Sequence, residues 1–224
     1  MHNIVTEQLT HAGQQIEHDS FAIVDAEAGA HGYSPDQWQV VRRIIHATAD
    51  FEFNGLTCFH PRAIEAGLQA VARGAPIVAD VEMICVGLSK PRLAHFGIGT
   101  HQFISDEDVI AHAKAENSTR AVQAMRKANT HGLLNGGIVA IGNAPTALLE
   151  VLRLIREQQV RPTLIIGMPV GFVSAAESKA LLSELADIPW IIVSGRKGGS
   201  TLVVATIHAI LALAEAKQKG VVQP

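Results

Sequence analysis

From Ala75 onward the chain repeats one phrase: a short run rich in β-branched residues, a turn built from Gly, Pro, Asn, Asp or Ser, then a longer segment with helical spacing. Ile77-Val78-Ala79 leads to Asp80, His101 to Ile104 leads to Ser105-Asp106, and Gly137 to Ile141 leads to Gly142-Asn143. Thr163 to Ile166 leads to Gly167-Met168-Pro169, and Trp190 to Val193 leads to Ser194-Gly195-Arg196. This is the rhythm of βα units and predicts five strands. Pro145 stands where a first helical residue belongs before TALLEVLRLIRE, and Ser174 is placed to cap AAESKALLSELA. The strands read as unbroken apolar runs, as expected of a parallel sheet covered on both faces. The expected fold class is α/β: a three-layer α/β/α domain around a five-stranded parallel sheet, with the flavodoxin-like order 2-1-3-4-5.

Before Ala75 the chain reads as an N-terminal helical region. Its clearest element is Ser34-Pro35-Asp36-Gln37 followed by WQVVRRIIHATA, with a capping Ser, Pro at the first position and Gln three residues after the cap. Trp38, Val41 and Ile45 fall on one stripe, and Arg42 and His46, four apart, share a neighbouring face. No low-complexity tract or Pro/Ser linker divides the chain, so residues 1–224 are read as one domain. With 48% hydrophobic residues it can bury a substantial core. The charged fraction is 17%, against about 25% in typical domains, which points to surface hidden in a large pocket or a second subunit. An oligomer is expected.

Lys and Arg number 18 against 21 Asp and Glu, a net charge of −3, with no basic block. That argues against nucleic acid or an anionic membrane as a partner recognised by bulk charge. Cys58 and Cys85 form no C-x-x-C pair, so neither a disulfide framework nor a zinc knuckle is indicated and a reducing cytoplasm fits. The opening MHNIVTEQLTHAGQQIEHDS does not read as a signal peptide. The most apolar stretch, Thr201 to Ala214, is interrupted by His208 and falls short of the roughly 18 residues of a membrane span, so it is expected to be a buried helix of a soluble domain.

In open parallel sheets ligands bind beyond the carboxyl ends of the strands, so the loops after the strands are the place to look. They read DVE (80–82), IGNAPT (141–146), GMPVGF (167–172) and SGRKGGS (194–200). Arg196, Lys197, Gly198, Gly199 and Ser200 join two cations to flexible backbone just before an apolar helix, a pattern suited to a carboxylate or phosphate. The same residues also fit an ordinary glycine turn with solvated charges. The order of a phosphate-binding P-loop is absent, and Gly97-Ile98-Gly99 lacks the third glycine of a dinucleotide fingerprint.

Eleven histidines show no H-E-x-x-H and no ligand spacing beside Cys or carboxylate, so no metal is expected. His46 differs in lying on an apolar helix one turn from Arg42, where a neighbouring cation and partial burial favour neutral imidazole. Such a His suits proton transfer, although on spacing alone a structural role is the commoner fate. Ser20 and Arg120 are readable as helix-edge polar residues, and Asn143 as a turn residue.

Taken together the stretches resemble the precorrin-8X methylmutase family of cobalamin biosynthesis from about Ser20 to Ala214. The motifs are SFAIV (20–24), RRIIHA (42–47), APIVADVEM (75–83), STRA (118–121), IGNAPTAL (141–148), GMPVGFVSAAESK (167–179) and GRKGGS (195–200). The resemblance implies a flavodoxin-like, homodimeric isomerase that moves one methyl group of a corrin-like tetrapyrrole from C11 to C12, giving hydrogenobyrinate or its cobalt-containing counterpart. It implies no external cofactor, His46 as the catalytic residue, and Ser20 and Arg120 at the substrate. Protonation of the macrocycle near ring C eases the methyl shift, and return of the proton restores conjugation, so one general acid serves both steps. Asn143 and the 196–200 loop then face the acidic rim of the substrate. Residues 1–19 fall outside the resemblance and read as a mobile arm. The alternatives are a tetrapyrrole carrier with a silent His46 and a nucleotide-dependent oxidoreductase, the latter disfavoured by the missing glycine fingerprint.

Overall fold

The computed structural model describes residues 10–220. In chain order the elements are α1 (His11–Glu27), α2 (Pro35–Thr48), the short turn α3 (Phe53–Leu56), β1 (Thr57–Phe59), α4 (Ala63–Ala72), β2 (Ile77–Ala79), α5 (Glu82–Gly87) and α6 (Lys90–His95). They continue with β3 (Thr100–His101), α7 (Glu107–Ala115), α8 (Arg120–Thr130), β4 (Ile138–Ile141), α9 (Pro145–Gln158), β5 (Leu164–Gly167), α10 (Ala175–Ser183), β6 (Trp190–Val193) and α11 (Ser200–Gln218). All five expected strands are present, but the second is Thr100–His101 where His101 to Ile104 was expected, so only His101 is shared.

The sheet has six strands rather than five, in the order β1-β6-β5-β4-β2-β3. The five expected strands run parallel, and counted alone they follow 2-1-3-4-5. The sixth, β1, lies antiparallel on β6, pairing Thr57 with Val193 and Phe59 with Ile191. It escapes a sequence reading because three residues carry little propensity of their own and the partner strand supplies the pairing. The helical region before the sheet therefore also contributes an edge.

Alternate residues of each central strand enter opposite layers. Ile77, Ala79, Ile138, Ala140, Leu164 and Ile166 join α2, α4 and α11 in one core, whereas Val78, Val139, Ile165 and Ile192 join α8 and α9 in the other. Burial on both faces is what removes polar alternation from the strands. The layout is three-layered, as the repeating phrase implies.

The start of α2 follows its sequence signal: the Ser34 hydroxyl accepts from the Gln37 amide, the Gln37 side chain accepts from the Ser34 amide, and Trp38, Val41 and Ile45 are buried. Ala49 ends the helix in the left-handed region at φ 53°, turning the chain toward β1. The start of α10 departs from expectation. Ser174 occupies the cap position in a left-handed conformation, φ 61°, and its side chain makes no capping bond.

Helix α11 is 19 residues long and, by length and composition, apolar enough to cross a membrane. It is longer than the stretch from Thr201 to Ala214 because the helix continues past that stretch through a polar last turn. Thirteen of its residues are buried, and it packs against α2, α4 and α5 as the core helix of one layer. At the other end of the chain, residues 11–19 form the first half of α1 rather than an arm, with Thr10 capping the helix through a bond from the Gly13 amide. Residues 1–9 of that expected arm lie outside the described residues.

Candidate active site

Because the crossover helices run back against the strands, the starts of α8, α9 and α11 gather at the carboxyl edge of the sheet. Asp80, immediately after β2, is fully buried there and accepts the amides of Gly142 (3.0 Å), Asn143 (2.9 Å) and Ala144 (2.7 Å). Burial pushes its carboxyl above the usual range, opposed by these three bonds. Asp80 thereby fixes the loop from which α9 starts. Gly142 lies so close to α11 that a Cβ there would fall 2.7 Å from the Ser200 Cα. The Asn143 loop and the start of α11 form one ridge along the edge.

On one side of this ridge a cleft of about 440 Å³ opens between α1, α2, α5 and α11. Glu17, Arg43, His46 and His208 line it, together with Thr201 and Val204. The Arg43 guanidinium donates to the Glu17 carboxylate at 3.0 Å, and burial lowers its pKa. The His208 imidazole, buried, donates through Nε2 to the Gly87 carbonyl at 3.2 Å, and desolvation holds its pKa below the ordinary value. His46, on the last turn of α2, is exposed, its ring centroid 4.9 Å from that of Phe21.

Two expectations about His46 are corrected. It is exposed, not partly buried, because Ile44 and Ile45 take the core-facing positions of that turn. Arg42 does not attend it: its guanidinium donates to Asp25 at 2.8 Å and to Gln39, and stacks 4.5 Å from the Phe21 centroid. The cation that shares the cleft with His46 is Arg43, three residues before it and so also on its face.

The remaining predicted residues divide along the edge. Ser20 is half-buried on α1 and its hydroxyl donates to the Ile16 carbonyl at 2.7 Å. Arg120 is the first residue of α8 and exposed; the preceding Thr119 bonds Thr146 at 3.1 Å, tying that helix start to the loop carrying Asn143. Asn143 is exposed. Arg196 is exposed with its guanidinium carbon 5.7 Å from the Phe172 ring centroid.

Lys197 is not the free cation of the sequence reading. Its ammonium is paired with Asp50 and, at 2.7 Å, with Glu52, which raises its pKa. The glycines are also more committed than expected. A Cβ on Gly198 would collide with the Met168 carbonyl oxygen and lie 2.7 Å from that of Pro169. The Gly199 amide donates to Met168 at 2.9 Å, with φ 133°. Ser200 is buried against the Gly142 loop. The Leu202 and Val203 amides in the first turn of α11 donate to the Gly199 carbonyl, so the group this loop leaves exposed to an anion is the Arg196 side chain, not a nest of glycine amides.

Sequence reasoning missed Arg43, Glu17 and His208. The i, i+3 spacing to His46 was a signal for Arg43, and a His inside an otherwise apolar helix was a signal for His208. Among the described residues no group of three or more His, Cys, Asp or Glu is arranged to hold a metal ion.

A cobalt-precorrin-8 methylmutase of Leptospira interrogans is 54% identical over 211 residues, covering 92% of this chain and 96% of the relative. A cobalt-precorrin-8 methylmutase of Priestia megaterium is 50% identical over 207 residues, covering 92% and 91%. The crystal structure of a precorrin-8X methylmutase from Thermus thermophilus superposes with a TM-score of 0.87 at 52% identity, covering 94% of this chain and 98% of that one. With the precorrin-8X methylmutase family model matching residues 15–213, the chain is a member of the precorrin-8X methylmutase family.

Proposed function

We propose that the chain isomerises a precorrin-8-type macrocycle by moving the methyl group at C11 to C12, with His46 as the acid and base. The observation that carries this reading is the cleft at the carboxyl edge, where an exposed imidazole stands beside the Arg43–Glu17 pair and His208. His46 donates a proton to the macrocycle near ring C, which withdraws electron density from the path of the methyl group. The methyl carries its bonding pair from one ring carbon to the next, and the proton returns to His46. No atom is gained or lost, so the chemistry asks for one group that both gives and accepts a proton.

The periphery of the substrate is rich in carboxylates. Arg196, Arg120, Asn143 and the first turn of α11 lie along the edge where such a rim would rest, with Ser20 at the α1 side. Cobalt-precorrin-8 is the preferred substrate on this reading, supported by the names of the two relatives at 54% and 50% identity. We also read the protein as a cytoplasmic homodimer. Exposed Phe172 (84%) and Val173 (82%), with Met83 and Val86 elsewhere on the surface, are apolar areas that a second copy would cover. Sedimentation at micromolar concentration checks it, and a monomer would remove the dimer from the reading.

Incubation of the protein with cobalt-precorrin-8 and with precorrin-8X, followed in the visible spectrum, tests the function. Conversion of both, with the higher kcat/KM for the cobalt form, is expected. Binding without conversion would make the chain a tetrapyrrole carrier, and no spectral change would overturn the reading.

A further inference from the structure

Lys179, on α10, is 1% exposed and counts among the largest fully buried side chains. Its ammonium donates to the carbonyl oxygen of Lys197 at 2.7 Å, bridging from α10 to the loop before α11. The Lys197 side chain itself runs the other way, to Asp50 and Glu52, so those carboxylates neutralise Lys197 rather than Lys179. A buried lysine costs desolvation, and here burial lowers its pKa to about 8. A methionine would fill similar space without that cost. Retention of an ammonium is explained by what it grips.

The neighbouring backbone shows why this grip matters. The Arg196 carbonyl accepts the Gly171 amide at 3.2 Å, and the Gly199 amide donates to the Met168 carbonyl at 2.9 Å. Between these two backbone bonds stands the Lys197 carbonyl, which the Lys179 side chain holds. Gly198, next in line, is pressed against the Met168 and Pro169 carbonyls. The course of residues 196–199, and hence the aim of Arg196 and of the first turn of α11, is fastened at three successive points. One of them is a side chain from another helix.

We propose that Lys179 is a positioning residue of the substrate edge, its ammonium setting the course of the 196–199 loop through the Lys197 carbonyl so that Arg196 and the start of α11 meet the carboxylates of the macrocycle. The inference rests on the reading of this loop as a substrate-binding edge. Lys179 touches no reacting atom in this account, so its loss weakens binding and leaves the proton transfer at His46 in place.

The test compares K179M, K179Q and R196A for kcat, KM with cobalt-precorrin-8, and thermal midpoint. For K179M we expect KM to rise about tenfold while kcat stays within about twofold, the pattern of lost uniform binding. The thermal midpoint should change little, because relief of the buried charge offsets the loss of the donor to the Lys197 carbonyl. K179Q, which keeps an N–H donor, should recover part of the KM. A raised KM for R196A with an unchanged KM for K179M would overturn the role of Lys179 alone. Unchanged KM for both would overturn the reading of the loop and the proposal with it. If neither lysine variant folds, Lys179 holds up the domain rather than aiming the loop, and the proposal fails.

Discussion

The cleft beside α2 and the glycine-rich loop before α11 sit at the same sheet edge but use their residues in opposite ways. In the cleft, the imidazole of His46 is exposed and faces open space, beside an Arg43–Glu17 ion pair that lines the cavity. In the loop, the groups that look most available are already engaged, Lys197 by Asp50 and Glu52 and the Gly199 amide by Met168. Glycines in a loop at the carboxyl edge of a sheet therefore need not be there for a ligand. Here they let two loops cross at backbone distance, leaving the chemistry to side chains that the crossing brings into position.

The largest effect that this contrast predicts is at His46. His46→Asn should lower kcat by about 10² to 10⁴-fold, the usual contribution of a positioned acid or base. Steady-state rates settle it, and a variant retaining more than a tenth of the activity would make His46 structural.

At the loop, the predicted effects fall on binding. Arg196→Ala should raise KM by about ten- to a hundredfold with kcat little changed, as for loss of a charge-assisted bond made equally in ground and transition states. Lys197→Ala should raise KM less than about threefold, because that ammonium is already paired at the surface. A larger effect from Lys197 than from Arg196 would reverse the assignment of the free cation.

Gly198→Ala asks whether the glycine serves crossing or ligand. The added Cβ meets the Met168 and Pro169 carbonyls, and overpacking of this kind costs about 1 to 3 kcal/mol. A fall of several degrees in thermal midpoint is expected. An unchanged midpoint with impaired binding would instead place the glycine against the substrate.

The smallest effect is a pH dependence of stability from Lys179. Its folded-state pKa of about 8 lies below the ordinary 10.5, so between these values the unfolded chain holds a proton that the folded chain has released. Stability should therefore rise with pH across that window relative to K179M, which lacks the group. Denaturant midpoints of both proteins at pH 8 and pH 10 check the sign. A difference between them that is flat or falling would show that Lys179 keeps its proton in the fold.

The sequence exposes the parallel sheet because four of its strands are buried on both faces and bounded by turn residues; at the half-buried β3 the pattern is displaced from the strand. It hides β1, whose three residues are strands only by virtue of β6. It also hides the state of each candidate side chain. The stripe of Trp38, Val41 and Ile45 locates the buried face of α2, yet does not show how far His46 stands from it. Lys197 reads as a free cation because its partner Asp50 is 147 positions away in the chain. Local chemistry is legible in residue types, whereas long-range pairing decides which of those groups remain available.

The most direct measurement combines turnover and affinity on one variant. His46→Asn is titrated with the corrin product to obtain Kd and then assayed with cobalt-precorrin-8 in the visible spectrum. An unchanged product Kd with conversion abolished would establish a cleft that performs proton transfer on a macrocycle held elsewhere along the edge. Conversion at wild-type rate, or a loss of affinity as large as the loss of turnover, would contradict that division of labour.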